Sequence, residues 1–79
     1  MARLKTQSEI IEMVKQYRYD HELSRPVFAA LADLDDGTLA SFESRGSYPS
    51  LATAVKLAAA MGISMDEFVL TEVQHGQRA

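Results

Sequence analysis

Apolar residues recur along this chain at the three- and four-residue spacing typical of helices, in five segments that short turns separate. In the first segment Ile10, Val14 and Tyr17 form one stripe, and Ile11 is adjacent to it. Thr6 followed by Glu9 fits a capping box, which satisfies two free N–H groups at the start of a helix. The pattern therefore predicts a first helix over about residues 7–19.

Two short helices are predicted next, with only a few residues between them. Ser24 is a candidate N-cap for the second, and Pro26 falls in its first turn, where a missing N–H costs little. Asp35 can cap the third, whose Leu39 and Phe42 face inward at a spacing of three. Two helices in tandem with so short a turn are the sequence form of a helix-turn-helix, whose second helix can project into a groove of DNA.

Pro49 and Ser50 open a predicted fourth helix, which runs to about Met61 and is followed by Gly62, a favourable residue just past a helix end. The residues expected on its buried face, or flanking it, are Leu51, Val55, Ala58, Leu57 and Met61.

Ser64 with Glu67 forms another capping box and begins a fifth helix, which contains Met65, Phe68 and Val69. We find no strand alternation. The prediction is an all-α domain of five helices.

Composition limits the class of protein. The chain has 79 residues, enough for one compact domain, and 47% of them are hydrophobic. The absence of cysteine excludes disulfides and thiolate zinc sites. The longest apolar run, residues 57–63, is too short to span a membrane, and no secretion signal is apparent, so a soluble cytoplasmic protein is expected. The expected organisation is a short basic arm (1–6), a helix-turn-helix DNA-binding domain (7–73) and a polar flexible tail (74–79).

The net charge of −3 argues mildly against nucleic acid as a partner, but the charge is unevenly distributed. Lysine and arginine are frequent in residues 1–25 and absent from residues 26–44. The acidic residues of that middle segment are Asp33, Asp35, Asp36 and Glu43. The helix predicted to face DNA therefore begins with acidic residues.

The residues from Leu23 to Phe68 include a set whose spacing matches the pattern of a known family, without insertion, across more than forty residues. Its members are Leu23-Ser24, Phe28-Ala29, Leu34, Leu39, Phe42-Glu43, Pro49-Ser50-Leu51, Leu57-Ala58 and the run from Met61 to Phe68. In these residues the chain resembles the phage-repressor helix-turn-helix family, of the Cro/cI-like or XRE type. The resemblance implies a small sequence-specific transcriptional regulator that binds double-stranded DNA, such as a repressor from a phage, prophage or bacterium.

The resemblance implies that the third helix, near residues 36–45, enters the major groove. The outward residues that would contact base edges are Asp36, Gly37, Thr38, Ser41 and Ser44. The alternative for this face is a small, solvated helix surface. Gly37 either allows close approach to a groove or has no functional meaning.

Phosphate contacts are expected from basic and hydroxyl side chains around the third helix and from the basic arm. These residues are Arg25, Arg45, Ser47, Tyr48, Ser50, Arg3 and Lys5. Ser50 opens the fourth helix, whose free N–H groups form an anion site, and the arm could wrap a duplex. For each charge the alternative is ordinary solubility.

Some positions depart from the family pattern. Asp33 and Glu22 stand where glycine is frequent, and Asp tolerates left-handed backbone better than most residues. Asp36 and Gly37 replace amide or basic side chains. A carboxylate there favours the helix through its dipole and repels phosphates, although it can accept a hydrogen bond from cytosine N4.

Two further roles follow from the resemblance. Arg18 and Glu43 match positions where family members often place an ion pair between the first and third helices, which is here interpreted as structural rather than as a DNA contact for Arg18. Val69, Leu70 and Val73 are expected at the seam of a two-fold homodimer. The alternative is that Leu70 and Val73 pack back on the first helix.

The sequence gives little support for a metal site, a cofactor or an enzymatic activity. His21 and His75 are isolated, so no metal site is predicted, and without a glycine-rich phosphate loop no cofactor is expected. An enzyme is not expected in so small a scaffold. A competing function is a protein-interaction module on a helix-turn-helix scaffold, such as an antitoxin or adaptor with weak or no DNA binding. The acidic start of the third helix favours that alternative, whereas the basic arm and loop favour DNA.

Overall fold

The computed structural model describes residues 1–72, which form five helices and two short strands. In chain order the elements are β1 (Ala2–Leu4), α1 (Gln7–Asp20), α2 (Arg25–Leu31), α3 (Asp36–Arg45), α4 (Leu51–Met61), α5 (Met65–Val69) and β2 (Leu70–Glu72). The fold is a phage-repressor-like helical domain with a helix-turn-helix at α2 and α3, as predicted. None of the helices within residues 1–72 has the length and apolar character needed to span a bilayer.

Helix starts follow the capping signals of the sequence. Both predicted capping boxes are present, at Thr6 with Glu9 and at Ser64 with Glu67. Ser24 accepts a hydrogen bond from the Val27 N–H at the start of α2. Asp35 occupies the N-cap position of α3, but within residues 1–72 its side chain makes no capping hydrogen bond. Local side-chain chemistry therefore sets most of the boundaries.

The turns on either side of α2 contain two non-glycine residues in left-handed backbone. Glu22 has φ 54° and Asp33 has φ 58°. These are the two positions where the sequence departs from a frequent glycine. Left-handed backbone costs an ordinary residue roughly 1–2 kcal/mol. The turn geometry is therefore kept at both positions, with some strain.

The core lies between all five helices. Its buried members include the predicted anchors Leu39 and Phe42 of α3, together with Ala29 of α2. The other buried apolar residues are Ile10, Ile11, Val14, Phe28, Ala32, Ala54, Leu57, Ala58 and Phe68. A small residue at Ala29 lets neighbouring helices approach closely.

The predicted buried face of α4 is wrong by part of a turn. Leu51 is 75% exposed and Val55 47% exposed, whereas Ala54 and Leu57 are buried. The helix is apolar on nearly every side, so hydrophobic spacing cannot fix its rotation. The small side chain of Ala54 faces the core and leaves the larger Leu51 outside.

A two-stranded antiparallel sheet, here called the terminal sheet, joins β1 to β2 and was not predicted. Its register pairs Ala2 with Glu72, Arg3 with Thr71 and Leu4 with Leu70. Three-residue strands are too short to show readable alternation. Residues 2–4 are therefore a paired strand rather than a free arm.

The fifth helix ends where the second strand of the terminal sheet begins. That helix ends at Val69, and Leu70 belongs to β2, where it lies opposite Leu4. The predicted seam residue Val73, the predicted tail (74–79) and His75 lie outside the described residues.

One ion pair fixes α3 against α1. Arg18 Nε lies 2.9 Å from Glu43 Oε2, and Arg18 Nη2 lies 3.0 Å from Glu43 Oε1. Arg18 Nη1 also donates to the Leu23 carbonyl oxygen at 3.2 Å. The two side chains are 11% and 8% exposed. This bidentate pair orients α3 from its inner side, away from solvent.

Candidate nucleic-acid interface

An open groove runs between α3 and the start of α4, and is here called the α3–α4 groove. Its lining residues are Thr38, Ser41, Phe42, Arg45, Ser47, Tyr48, Pro49, Ser50 and Thr53. The predicted contact residues among them are Thr38, Ser41, Arg45, Ser47, Tyr48 and Ser50. The structure therefore brings candidates from α3, the following loop and the start of α4 to one surface.

The spacing of side chains on α3 explains this surface. Leu39 and Phe42 turn inward to the core, which leaves Thr38, Ser41 and Arg45 along one outer side. At the end of α3, Gly46 adopts left-handed backbone with φ 72°. That conformation reverses the chain and returns the loop alongside the helix.

Within the α3–α4 groove, Arg45 is the basic residue. It is exposed, and in the described part of the chain no carboxylate oxygen lies within 4.0 Å of it. It occupies the last turn of α3, where a cation is also favourable for the helix dipole. Its guanidinium is therefore available to a solvent-borne anion.

Ser50 has a structural role as well as a place in the groove. Its Oγ accepts from the Thr53 N–H at 3.2 Å and lies 3.1 Å from Thr53 Oγ1. Ser50 thereby satisfies one of the free backbone N–H groups at the start of α4. Thr53 and Pro49 were not predicted as groove residues, although the three-residue spacing from Ser50 to Thr53 was a local signal for the former.

The remaining residues predicted to contact bases lie outside the groove lining. Ser44 Oγ donates to the Ala40 carbonyl oxygen at 2.8 Å, so its hydroxyl is turned back onto α3. Gly37 is exposed, and a side chain there would meet open space. Asp36 is exposed at the first position of α3.

Asp36 forms an ion pair with Arg25, the first residue of α2. Arg25 Nε lies 3.0 Å from Asp36 Oδ1, and the side chains are 44% and 45% exposed. The hydrogen bond to Asp36, and then its negative charge, raise the pKa of the Arg25 guanidinium above its ordinary value. Arg25, which was predicted to contact a phosphate, is therefore hydrogen-bonded to Asp36, which was predicted to contact a base.

Arg3, a predicted phosphate contact, is instead paired within the protein. Its Nη1 and Nη2 lie 2.9 Å and 2.8 Å from the two carboxylate oxygens of Glu9. The hydrogen bond from Arg3, followed by that from the Thr6 backbone, lowers the pKa of Glu9 to about 2. Arg3 therefore ties β1 to the first turn of α1.

Lys5, the other basic residue of the predicted arm, also contacts the fold. Its Nζ donates to the Glu67 carbonyl oxygen at 2.5 Å and to that of Phe68 at 3.4 Å. These carbonyls belong to the end of α5, where a cation stabilises the free acceptors of a helix. The Tyr48 hydroxyl donates to the Lys5 carbonyl oxygen, which connects the groove loop to the terminal region.

A helix-turn-helix whose second helix borders an open groove is the arrangement of DNA-binding helix-turn-helix proteins. The helix-turn-helix family pattern matches residues 14–68, well over half of the chain. The chain belongs to the Cro/C1-type, XRE, helix-turn-helix family of DNA-binding regulators. Double-stranded DNA is the partner that this membership supports. No curated protein shows significant similarity to the chain.

Proposed function

We propose that this protein is a sequence-specific transcriptional repressor that inserts α3 into the major groove, in a phage, prophage or bacterium. The observation that carries the proposal is the α3–α4 groove. It collects hydroxyl groups, and one arginine without a carboxylate partner among residues 1–72, from three consecutive segments on a single open face. Hydroxyls and arginine are the side chains that proteins commonly turn toward bases and phosphates.

The two sides of α3 have different tasks in this proposal. Its inner side is fixed by Leu39, Phe42 and the Arg18–Glu43 pair. Its outer side places Thr38 and Ser41 toward base edges, with Arg45 and the serine hydroxyls of the loop toward the phosphate backbone. A helix held this firmly presents its outer residues in one orientation, which selection among base sequences requires.

Low positive charge predicts a modest electrostatic contribution to binding. The net charge is −3, and Arg45 is the basic residue of the groove. Each phosphate contact adds about 0.9 to the slope of log affinity against log salt concentration. We therefore expect a shallow slope for one subunit, and useful affinity when two subunits bind together.

A two-fold homodimer would supply the second subunit, and the face of the terminal sheet that carries Leu4 and Leu70 is the proposed seam. Leu4 is 65% exposed and lies opposite Leu70, which is partly buried, and Val69 is partly buried beside them. A second copy would cover this apolar pair. Leu70→Glu should yield a folded monomer, because a charge would be desolvated at the interface.

The matched control for the dimer is Thr71→Glu, the same charge on the other side of the strand. Sedimentation at tens of micromolar, on the order of a weak dimer's dissociation constant, should show a dimer for the parent and for Thr71→Glu but not for Leu70→Glu. A monomeric parent at those concentrations contradicts the proposed seam.

A second candidate function is a protein-interaction module, such as an antitoxin or adaptor. The observation that favours it is the exposure of large apolar side chains on α2 and α4. Leu31 is 63% exposed and Leu51 75% exposed. Exposed apolar surface of this kind is often a protein contact, although single exposed residues are also common.

Selection of duplexes from a random pool separates the two functions. The repressor proposal expects one enriched motif, with Ser41→Ala changing the preferred base at one or two positions. Ser44→Ala is the comparison on the same helix, and should change preference less because its hydroxyl is bonded to Ala40. Absence of any enriched motif, together with recovery of a tightly bound protein, supports the interaction module and contradicts the repressor.

A further inference from the structure

The Arg25–Asp36 ion pair links the first residues of the two helices of the helix-turn-helix. Arg25 begins α2 and Asp36 begins α3, and only one arginine nitrogen, Nε, is bonded to the carboxylate. Within residues 1–72 neither terminal nitrogen of Arg25 has a hydrogen-bond partner. The carboxylate therefore holds the guanidinium by one edge and leaves its terminal amines available.

The position of the pair brings that free edge to the start of α3. A guanidinium is planar, so a bond at Nε also sets the direction of the two terminal amines. Two such amines match the O6 and N7 acceptors that guanine presents in the major groove. A loosely held arginine at the same place would instead sample many directions, which suits a phosphate.

We infer that Asp36 is a positioning residue that aims Arg25 at a guanine base, so that Arg25, rather than Asp36, determines specificity at the start of α3. This inference rests on the proposed DNA-binding function and deepens it. It also accounts for a carboxylate at a DNA-facing helix start, because the paired arginine offsets its repulsion of phosphates.

The chain offers a matched control one residue away. Asp35 is an exposed N-cap residue whose side chain makes no capping hydrogen bond within residues 1–72. Asp35→Asn and Asp36→Asn remove the same charge from neighbouring positions, but only the second disrupts the ion pair. Arg25→Lys keeps the positive charge and removes the planar fork.

The experiment is duplex selection with the full chain and these three variants, each checked for unchanged helicity by circular dichroism. The parent should enrich a motif with guanine at one position. Arg25→Lys should lower the preference for that guanine by at least about five-fold, the lower end of what a bidentate arginine contact contributes. Asp36→Asn should relax the same position, and Asp35→Asn should leave it intact.

The double variant Arg25→Lys/Asp36→Asn should lose no more guanine preference than Arg25→Lys alone, because residues acting as a unit are not additive. A uniform loss of affinity for all duplexes in Arg25→Lys would make Arg25 a phosphate contact and overturn the inference. Equal gains of affinity in both asparagine variants, with an unchanged motif, would reduce Asp36 to a repulsive charge and also overturn it. A parent that enriches no motif contradicts the proposed function itself.

Discussion

The basic residues of the terminal region and those of the α3–α4 groove have different surroundings. Near the terminal sheet, Arg3 is paired with Glu9, and Lys5 is bonded to carbonyl oxygens at the end of α5. In the groove, Arg45 has no acidic partner among residues 1–72. Cations of the same kind therefore hold the fold together in one region and remain available to an anion in the other.

This difference shows why charge counting is a poor guide to a nucleic-acid interface. The sequence alone gives Arg3, Lys5 and Arg45 the same expected role. A cation that already has a carboxylate partner gains less from a phosphate, because binding must first break or share that contact. The partners of each cation, rather than its sign, indicate whether it is available to contact a phosphate.

The largest expected effect is a loss of stability when the core contact of α3, beneath the groove, is removed. Phe42 is 7% exposed and anchors α3 to the core. Phe42→Ala should lower the free energy of unfolding by roughly 3–5 kcal/mol, as such truncations in cores do. Thermal unfolding followed by circular dichroism measures this loss. Ser41→Ala is the control on the outer side, and a Phe42→Ala variant that melts within a few degrees of it would contradict the assigned orientation of α3.

Arg18 is a cation in a third kind of environment, since its ion pair with Glu43 is largely buried. Arg18→Met leaves the Glu43 carboxylate, which is 8% exposed, without its partner. The free energy of unfolding should fall by about 3 kcal/mol, because an uncompensated buried charge is costly. Chemical denaturation should show that Arg18→Met/Glu43→Leu recovers most of this loss. A single variant as stable as the parent would mean that the pair does not fix α3.

A smaller effect is expected on the pH dependence of stability, which tests the ion pair between Arg3 and Glu9 in the terminal region. The folded-state pKa of Glu9 is about 2, below the ordinary value of 4.5, because Arg3 and the Thr6 N–H stabilise the carboxylate. Its contribution to stability is therefore complete above about pH 4.5 and is lost as the pH falls toward 2. Melting temperatures of the parent and Glu9→Gln should converge across that range. A constant difference between them would show that Arg3 and Glu9 are not paired in solution.

The sequence predicted features that depend on neighbouring residues and missed those that depend on distant contacts. Thr6 and Ser64 identified helix starts because a capping box is complete within four residues. Leu51 was misplaced because α4 is apolar on nearly every side. The partners of Lys5 could not be predicted, since Glu67 and Phe68 lie at the other end of the chain.

In the candidate site, too, the sequence indicated what helical spacing determines and missed individual side-chain contacts. Thr38 and Ser41 were named from helical spacing as outward residues of the third helix, and Arg45 as a phosphate contact in the loop after it; all three line the α3–α4 groove, with Arg45 in the last turn of α3. Spacing does not show that Ser44 bonds back to the helix or that Asp36 pairs with Arg25. Both contacts depend on side-chain conformation and on the packing of α2 against α3.

The salt dependence of duplex binding tests most directly the claim that the α3–α4 groove, and not the terminal region, faces DNA. Arg45→Ala should weaken binding to every sequence and reduce the slope of log affinity against log salt concentration by about 0.9, the value for one phosphate contact. Arg3→Ala removes the same charge from the terminal region and should leave the slope unchanged. A slope that falls for Arg3→Ala and stays constant for Arg45→Ala would contradict the account.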